Sequence, residues 1–220
     1  MSPRPFERPA TIALPESPDL SAGAALDGLW LPETGEGGPR GGAVIAAPHP
    51  LMGGSMESPV TTEIALATSD AGFVSLRFDW RGVGGSAGLA SGETGDADVD
   101  YRAALAFMKE SVSGPVIACG YSWGALAAAR VAPADPRVRR LVLVAPPPAM
   151  LEGSGLAEGG KPILVLAGDR DEYVPEVALR ETFEGIDRVR LEVLEGVDHF
   201  FMTGLAEIGH RIRNWLESTD

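Results

Sequence analysis

Apolar residues in this chain gather in short runs divided by polar and glycine-rich stretches. The runs at 42–47, 73–79, 115–120, 140–145, 162–167 and 189–194 are largely continuous. Strands covered on both faces read this way, because a face open to water would impose polar alternation. Two short strands, at 11–14 and 25–31, come before them. Between the runs the period changes. Val60, Ile64, Ala67 and Ala71 recur at helical spacing, as do Val99, Ala103, Ala106 and Phe107. So do Phe201, Leu205, Ile208, Ile212 and Leu216, with His210 off that face and expected in solvent. Ser58 is placed to cap the first of these helices, with Pro59 in its first turn and Gly72 closing it. An alanine-rich helix at 125–130 completes the order β-β-β-α-β-α-β-α-β-β-α-β-α. Such alternation implies right-handed crossovers and a mostly parallel α/β sheet of about eight strands, flanked by helices. The site should then lie where loops converge at the carboxyl ends of the strands.

Length and composition bound the rest. A chain of 220 residues suits one α/β domain, read here as 10–220 behind a loose Pro- and Arg-rich tail at 1–9. The tail lacks the apolar run of a signal peptide, and no run is long enough to cross a bilayer. The single cysteine, Cys119, precludes an internal disulfide and reads as a small buried apolar residue. These features point to a cytoplasmic location. The net charge of −13 argues against nucleic acid and anionic membranes as partners. No Cys/His cluster has zinc spacing, and no cofactor or metal is called for. A small-molecule substrate is the expected partner, and a homodimer is left open.

The chemistry centres on Gly120-Tyr121-Ser122-Trp123-Gly124. An apolar strand precedes it and a helix follows, so the serine sits on a sharp strand-to-helix turn. Flanking glycines remove the Cβ atoms that would clash there. A serine needs a base. His199, on a loop between a strand and the last helix, is the candidate. The base needs an acid behind it to fix its tautomer. Asp171, after the strand at 162–167, is the choice and Asp169 the alternate; Glu172 and Asp198 also lie close by. Asp198 is equally placed to cap the last helix.

Four segments together resemble the α/β-hydrolase superfamily. They are His49-Pro-Leu-Met-Gly-Gly54, Asp79-Trp-Arg-Gly-Val-Gly-Gly-Ser86, the Ser122 turn, and Gly168-Asp-Arg-Asp171 with Asp198-His199. The chain order Ser, Asp, His is the one that superfamily uses. The His49 segment is similar to that of small, lidless bacterial serine hydrolases, with Ala47 standing where their first histidine is usual. The resemblance implies a nucleophile elbow at Ser122 and an oxyanion hole beside it. One donor is then the Trp123 N–H. The other comes from the loop after 43–47, where Pro48 and Pro50 have no N–H, leaving Leu51 and His49. Leu51 is favoured by position, and His49 is read as a brace for the loop.

Gly82-Val-Gly-Gly-Ser-Ala87 loosely imitates a dinucleotide fingerprint, but no helix opens directly after it. It reads instead as the Asp-x-Arg-Gly connection of the hydrolase resemblance. Between 145 and 161 there is room for a loop or a turn of helix, not a lid. Met52, Met150 and Leu151 are then expected to border an open substrate site, with Trp123, Trp80 and Phe200 as further candidate walls. The expected activity is serine hydrolysis of an ester or related acyl bond of a small substrate. The alternatives are a thioesterase or small-peptide hydrolase and, from another class, a non-catalytic ligand-binding or interaction protein.

Overall fold

The computed structural model describes residues 6–17, 20–34 and 37–218. Eight strands are present: β1 (Arg8–Ala13), β2 (Ala25–Leu31), β3 (Gly41–Ala46), β4 (Phe73–Phe78), β5 (Val116–Tyr121), β6 (Val138–Val144), β7 (Ile163–Gly168) and β8 (Val189–Leu194). The helices are α1 (Pro59–Asp70), α2 (Thr94–Ser111), α3 (Trp123–Val131), α4 (Leu156–Gly159), α5 (Glu176–Thr182) and α6 (Leu205–Ser218). The strands form one sheet in the order β1-β2-β4-β3-β5-β6-β7-β8. Pairings β1–β2 and β2–β4 are antiparallel and the remainder parallel.

This order determines where a site can form. The chain steps one way from β3 to β4, then back past β3 to β5. Right-handed crossovers therefore put α1 and α2 on opposite faces. Accordingly α1 packs on α6, and α2 on α3. Adjacent strands β3 and β5 send their chains to opposite faces, which opens a crevice between their carboxyl ends. Register brings the strand ends level: Ala46 pairs with Gly120, Tyr121 with Val144, and Gly168 with Leu194. The loops after β3, β5, β6, β7 and β8 thus converge along one edge. No helix among the described residues is long and apolar enough to cross a membrane.

Several expectations need correction. The loose tail at 1–9 lies outside the described residues at 1–5, but Arg8 and Pro9 already belong to β1, paired with Trp30 and Leu29. Pro9 is tolerated because β1 is an edge strand. Ser58 stands at the start of α1 but makes no side-chain cap bond. Strand β8 is not covered on both faces: it is the opposite edge, and Arg190 is exposed. Helix α2 centres its inward face elsewhere, burying Ala97, Asp100, Tyr101, Ala104, Leu105 and Met108, while Ala103 and Phe107 pack at the margin of the core and Ala106 is exposed. The cause is polar. Arg81, just after β4, donates through its backbone N–H to Asp100 Oδ2 (2.9 Å) and through Nη2 to Oδ1 (2.7 Å). An aspartate on the inner face is invisible to a hydrophobic count.

That pair gives a stability test. Asp100 is 1 % exposed, and removing it takes from Arg81 its buried partner and leaves it the half-exposed Asp96 carboxylate, 2.5 Å from Nη1. Asp100→Ala leaves the buried Arg81 N–H without its acceptor and should lower the unfolding free energy by about 1–3 kcal/mol in urea titrations. Asp100→Asn, which keeps an acceptor for the Arg81 N–H, should recover part of the loss.

Candidate active site

Ser122 stands between β5 and α3 with φ 53° and ψ −112°, a left-handed conformation that is strained for a residue with a side chain. The turn is held from below by its own N–H, which donates to the Val144 carbonyl at 2.8 Å. The two glycines are there for closeness. A Cβ on Gly120 would lie 2.2 Å from the Gly124 carbonyl, and one on Gly124 would lie 2.3 Å from the Ala46 oxygen. Strand β5, the start of α3 and the end of β3 therefore touch through bare backbone.

His199 arrives on the loop after β8. Its carbonyl accepts the Tyr121 hydroxyl at 2.9 Å, so the strand that presents Ser122 also anchors the histidine. Burial, with the Asp171 and Asp198 charges nearby, pushes the Tyr121 phenol up and keeps it a donor. Farther along the loop, Asp169 Oδ1 accepts the Gly196 N–H at 2.6 Å. Asp198 Oδ1 accepts the Met202 N–H at 3.1 Å, steadying the turn ahead of α6 rather than capping the helix itself.

The imidazole lies between two oxygens. His199 Nδ1 is 2.7 Å from Asp171 Oδ2, and His199 Nε2 is 3.1 Å from Ser122 Oγ. A carboxylate can only accept, so Nδ1 carries the proton and Nε2 presents its lone pair to the serine hydroxyl. The other carboxylate oxygen of Asp171 accepts the Tyr173 and Val174 N–H groups, each at 2.9 Å. Asp171 is buried and satisfied on both oxygens. The structure thus brings Ser122, His199 and Asp171 together, and engages Asp169 and Asp198 elsewhere. His210 is exposed on α6.

The loop after β3 is tied down tightly. Trp80 Nε1 donates to the Ala47 and Pro48 carbonyls at 3.0 and 3.1 Å. Asp79 Oδ1 accepts the Met56 N–H at 2.7 Å. The His49 ring rests on Trp123, centroids 4.5 Å apart, and its Nδ1 accepts the Leu51 N–H at 3.2 Å. Burial lowers the His49 pKa, which keeps Nδ1 free to accept. His49 therefore braces the loop. The Leu51 N–H is turned toward this imidazole. Trp123, first residue of α3, has by helix geometry no intrahelical acceptor for its own N–H.

Around the site, Met52 and Met150 are exposed. Leu151 is not: it turns inward and lines a cavity of about 670 Å³ with Leu156 and Phe183, a cavity to which neither Ser122 nor His199 contributes. Trp123 and Trp80 are buried as well, one under His49 and the other under the β3 loop. Phe200 is exposed beside His199. Two residues had escaped the sequence reading. Tyr121 occupies the free position of the Gly-x-Ser-x-Gly string, and Tyr173 follows Asp171 by two.

A chain of roughly this length from Coxiella burnetii, an α/β serine hydrolase homologue, is 31 % identical, with a TM-score of 0.79 over 92 % of this chain and 95 % of that one. The chain belongs to the α/β-hydrolase superfamily. An α/β serine hydrolase without a lid, from Xanthomonas campestris, is 28 % identical with a TM-score of 0.81, covering 96 % of this chain and 94 % of its own. Residues 51–154 match the family described as serine aminopeptidase S33. An uncharacterised protein of Rickettsia prowazekii is 27 % identical over 185 residues, 79 % of this chain and 77 % of that one. As an α/β-hydrolase, this protein carries no lid: between β6 and β7 there are a 3-10 turn, Pro148–Met150, and the single turn of α4. The glycine-rich connection after β4 runs on to Thr94 before α2 begins, so no helix opens directly after the Gly82 loop.

The elbow's dependence on bare backbone can be measured. Gly124→Ala must move α3 off the Ala46 carbonyl and should cost about 1–3 kcal/mol in urea titrations. Gly95→Ala, in the first turn of α2 with open space around it, should be neutral or slightly stabilising.

Proposed function

We propose that this serine hydrolase is an esterase that cleaves small carboxylic esters through a Ser122–His199–Asp171 triad and an acyl-enzyme. The observation that carries the reading is the hydrogen-bonded line from Ser122 Oγ through His199 to Asp171 Oδ2, at 3.1 and 2.7 Å. A binding protein has no need of that alignment. Ser122 attacks the carbonyl as His199 Nε2 takes its proton, and Asp171 stabilises the imidazolium. The oxyanion is held by the Trp123 N–H and by the Leu51 N–H, which exchanges His49 Nδ1 for the substrate oxygen. His199 returns the proton to the leaving alcohol. Water, deprotonated by the same base, then releases the acid. The reading includes a single domain that takes in β1 from Arg8 onward, cytoplasmic action on a small molecule, and no nucleic-acid or membrane partner.

A fluorophosphonate probe followed by intact mass should add one equivalent, on Ser122. Ser122→Ala and His199→Ala should each lower kcat by roughly 10⁴- to 10⁶-fold, and the double variant should be little worse than either. Among the acids, Asp171→Asn should do the most damage, ahead of Asp169→Asn and Asp198→Asn. Labelling at another residue, or multiplicative losses in the double variant, contradicts a concerted triad.

The match at 51–154 to a serine aminopeptidase family favours a second reading, a small-peptide hydrolase. Rates on aminoacyl p-nitroanilides against p-nitrophenyl esters decide between the two. Within the ester reading, the short connection between β6 and β7 builds no lid over Ser122, and the cavity that Leu151, Leu156 and Phe183 line does not include the serine, which leaves little apolar surface there for a long acyl chain. Each methylene buried would add roughly 0.8 kcal/mol. In a p-nitrophenyl series from acetate to palmitate, kcat/KM should rise over the first few carbons and level off by about six. It should show no jump at an emulsion surface. A steady climb through the long chains contradicts an open, shallow site.

A further inference from the structure

The exposed large apolar side chains are unevenly placed. Among the described residues they are nine in number, and all but Phe6 lie on the connections that leave the carboxyl ends of β3, β4, β6, β7 and β8, or on the first turn of the helix that follows. Water is thus met by an apolar rim on the face that holds Ser122. Two members of this rim touch His199 itself. The Tyr173 ring centroid lies 5.0 Å from the imidazole, and the Phe200 centroid 5.5 Å away. The two rings stand 6.4 Å apart and nearly perpendicular, at 80°. Tyr173 is 58 % and Phe200 61 % exposed, so neither is part of the core. Both are nevertheless held in place. Asp171 Oδ1 binds the Tyr173 backbone, and Phe200 is pitched outward by Phe201, a buried residue at φ 53°.

The chemistry assigns this corner to one half of the substrate. When the tetrahedral intermediate collapses, the bond from the carbonyl carbon to the alcohol oxygen breaks and its electron pair stays on that oxygen. The oxygen takes the proton from His199 Nε2, and the acyl group remains on Ser122 Oγ. For that transfer the oxygen must come within about 2.6–3.2 Å of Nε2. The exposed rings that flank the imidazole are therefore the candidates to receive the substituent it carries. Tyr121 covers the buried side, leaving Tyr173 and Phe200 on the open side.

A perpendicular pair offers one ring face and one ring edge, and a third planar ring can stack on the first and meet the second edge-on, within 4.5–7 Å of both. An aliphatic group of equal size gains contact but not that geometry. Glu172 is exposed beside Tyr173, and Asp198 precedes His199, which disfavours an anionic substituent. We propose that Tyr173 and Phe200 form the leaving-group subsite and that the alcohol released there is a neutral arylmethyl or aryl alcohol. The proposal rests on the esterase reading given above.

Benzyl, cyclohexylmethyl and ethyl butanoate test it, because their alcohols leave about equally readily and share one acyl-enzyme. With active sites counted by the fluorophosphonate probe, kcat/KM for the benzyl ester should exceed that for the cyclohexylmethyl ester by roughly three- to tenfold. Phe200→Leu and Tyr173→Leu keep apolar bulk but lose the ring, and should bring that ratio near one while the cyclohexylmethyl ester stays ahead of the ethyl. Benzyl alcohol should inhibit more strongly than cyclohexylmethanol, and the Leu variants should lose that difference too. A 4-carboxybenzyl ester should react at least about tenfold more slowly than the benzyl ester. If enzyme labelled at Ser122 treats benzyl and cyclohexylmethyl esters alike, or if the ratio survives both Leu variants, the subsite is overturned and the esterase reading stands. If Ser122 is not labelled and no ester turns over, the esterase reading falls and takes this proposal with it.

Discussion

The candidate site depends on a backbone contact that tolerates no side chain. Helix α3 begins within van der Waals distance of β3 and β5, because Gly120 and Gly124 carry no Cβ. That approach bends the chain hard enough to put Ser122 at a positive φ and hold it clear of the sheet. It also brings the first N–H of α3 alongside the loop that follows β3. A looser elbow would separate the serine from the amides beside it, and no adjustment of His199 could restore both distances. The strain at Ser122 persists because strands on both sides fix it: Val144 of β6 accepts its N–H, and β3 supports Gly124.

The histidine is positioned by the same principle, with backbone groups as its partners. Tyr121 reaches from β5 to the His199 carbonyl. The approach of Gly168 to Val197, where a Cβ would lie 2.0 Å from the carbonyl oxygen, brings the end of β7 against the histidine loop. Asp171 joins the two loops, binding His199 Nδ1 with one oxygen and the Tyr173 and Val174 amides with the other. Its side chain is fully buried, so these hydrogen bonds work in a low-dielectric setting where each counts for more than at the surface. An open site has no lid to exclude water, so its rigidity has to be built into the sheet edge itself.

Much of this was legible in the residues. Strands β2 and β8 begin and end where the apolar pattern places them, and the other strand boundaries differ by a few residues. Ser122, Asp171 and His199 could be named because each occupies a recognisable place: a glycine-flanked turn, the end of an apolar strand, a loop before the last helix. What escaped was set by tertiary partners. The inner face of α2 rotates toward Asp100 because Arg81 waits there. Leu151 is buried because the connection it sits on gathers it with Leu156 and Phe183 around a cavity. Tyr121 and Tyr173 carry no motif of their own, since their importance comes from which atoms the fold sets beside them. The bond from the Leu51 amide to His49 Nδ1 belongs to the same class. Counting prolines leaves Leu51 as a donor but does not show where its N–H points.

That amide bears on how such a site can be both open and reactive. An N–H left to water would be solvated, and an arriving oxyanion would have to displace mobile solvent. Holding the Leu51 N–H on His49 Nδ1 keeps the turn in shape, and in the proposed mechanism an exchange to a substrate oxygen would replace one hydrogen bond by another. The new acceptor carries developing negative charge whereas the imidazole is neutral, its pKa lowered by burial. Charge-assisted hydrogen bonds are roughly twice as strong as neutral ones. In the mechanism proposed above, the exchange is therefore more favourable for the tetrahedral intermediate than for the uncharged ester carbonyl. That difference, and not tight binding of the substrate, is what accelerates a reaction. The brace on the loop would in this way contribute selectivity for the transition state without itself touching the reacting atoms.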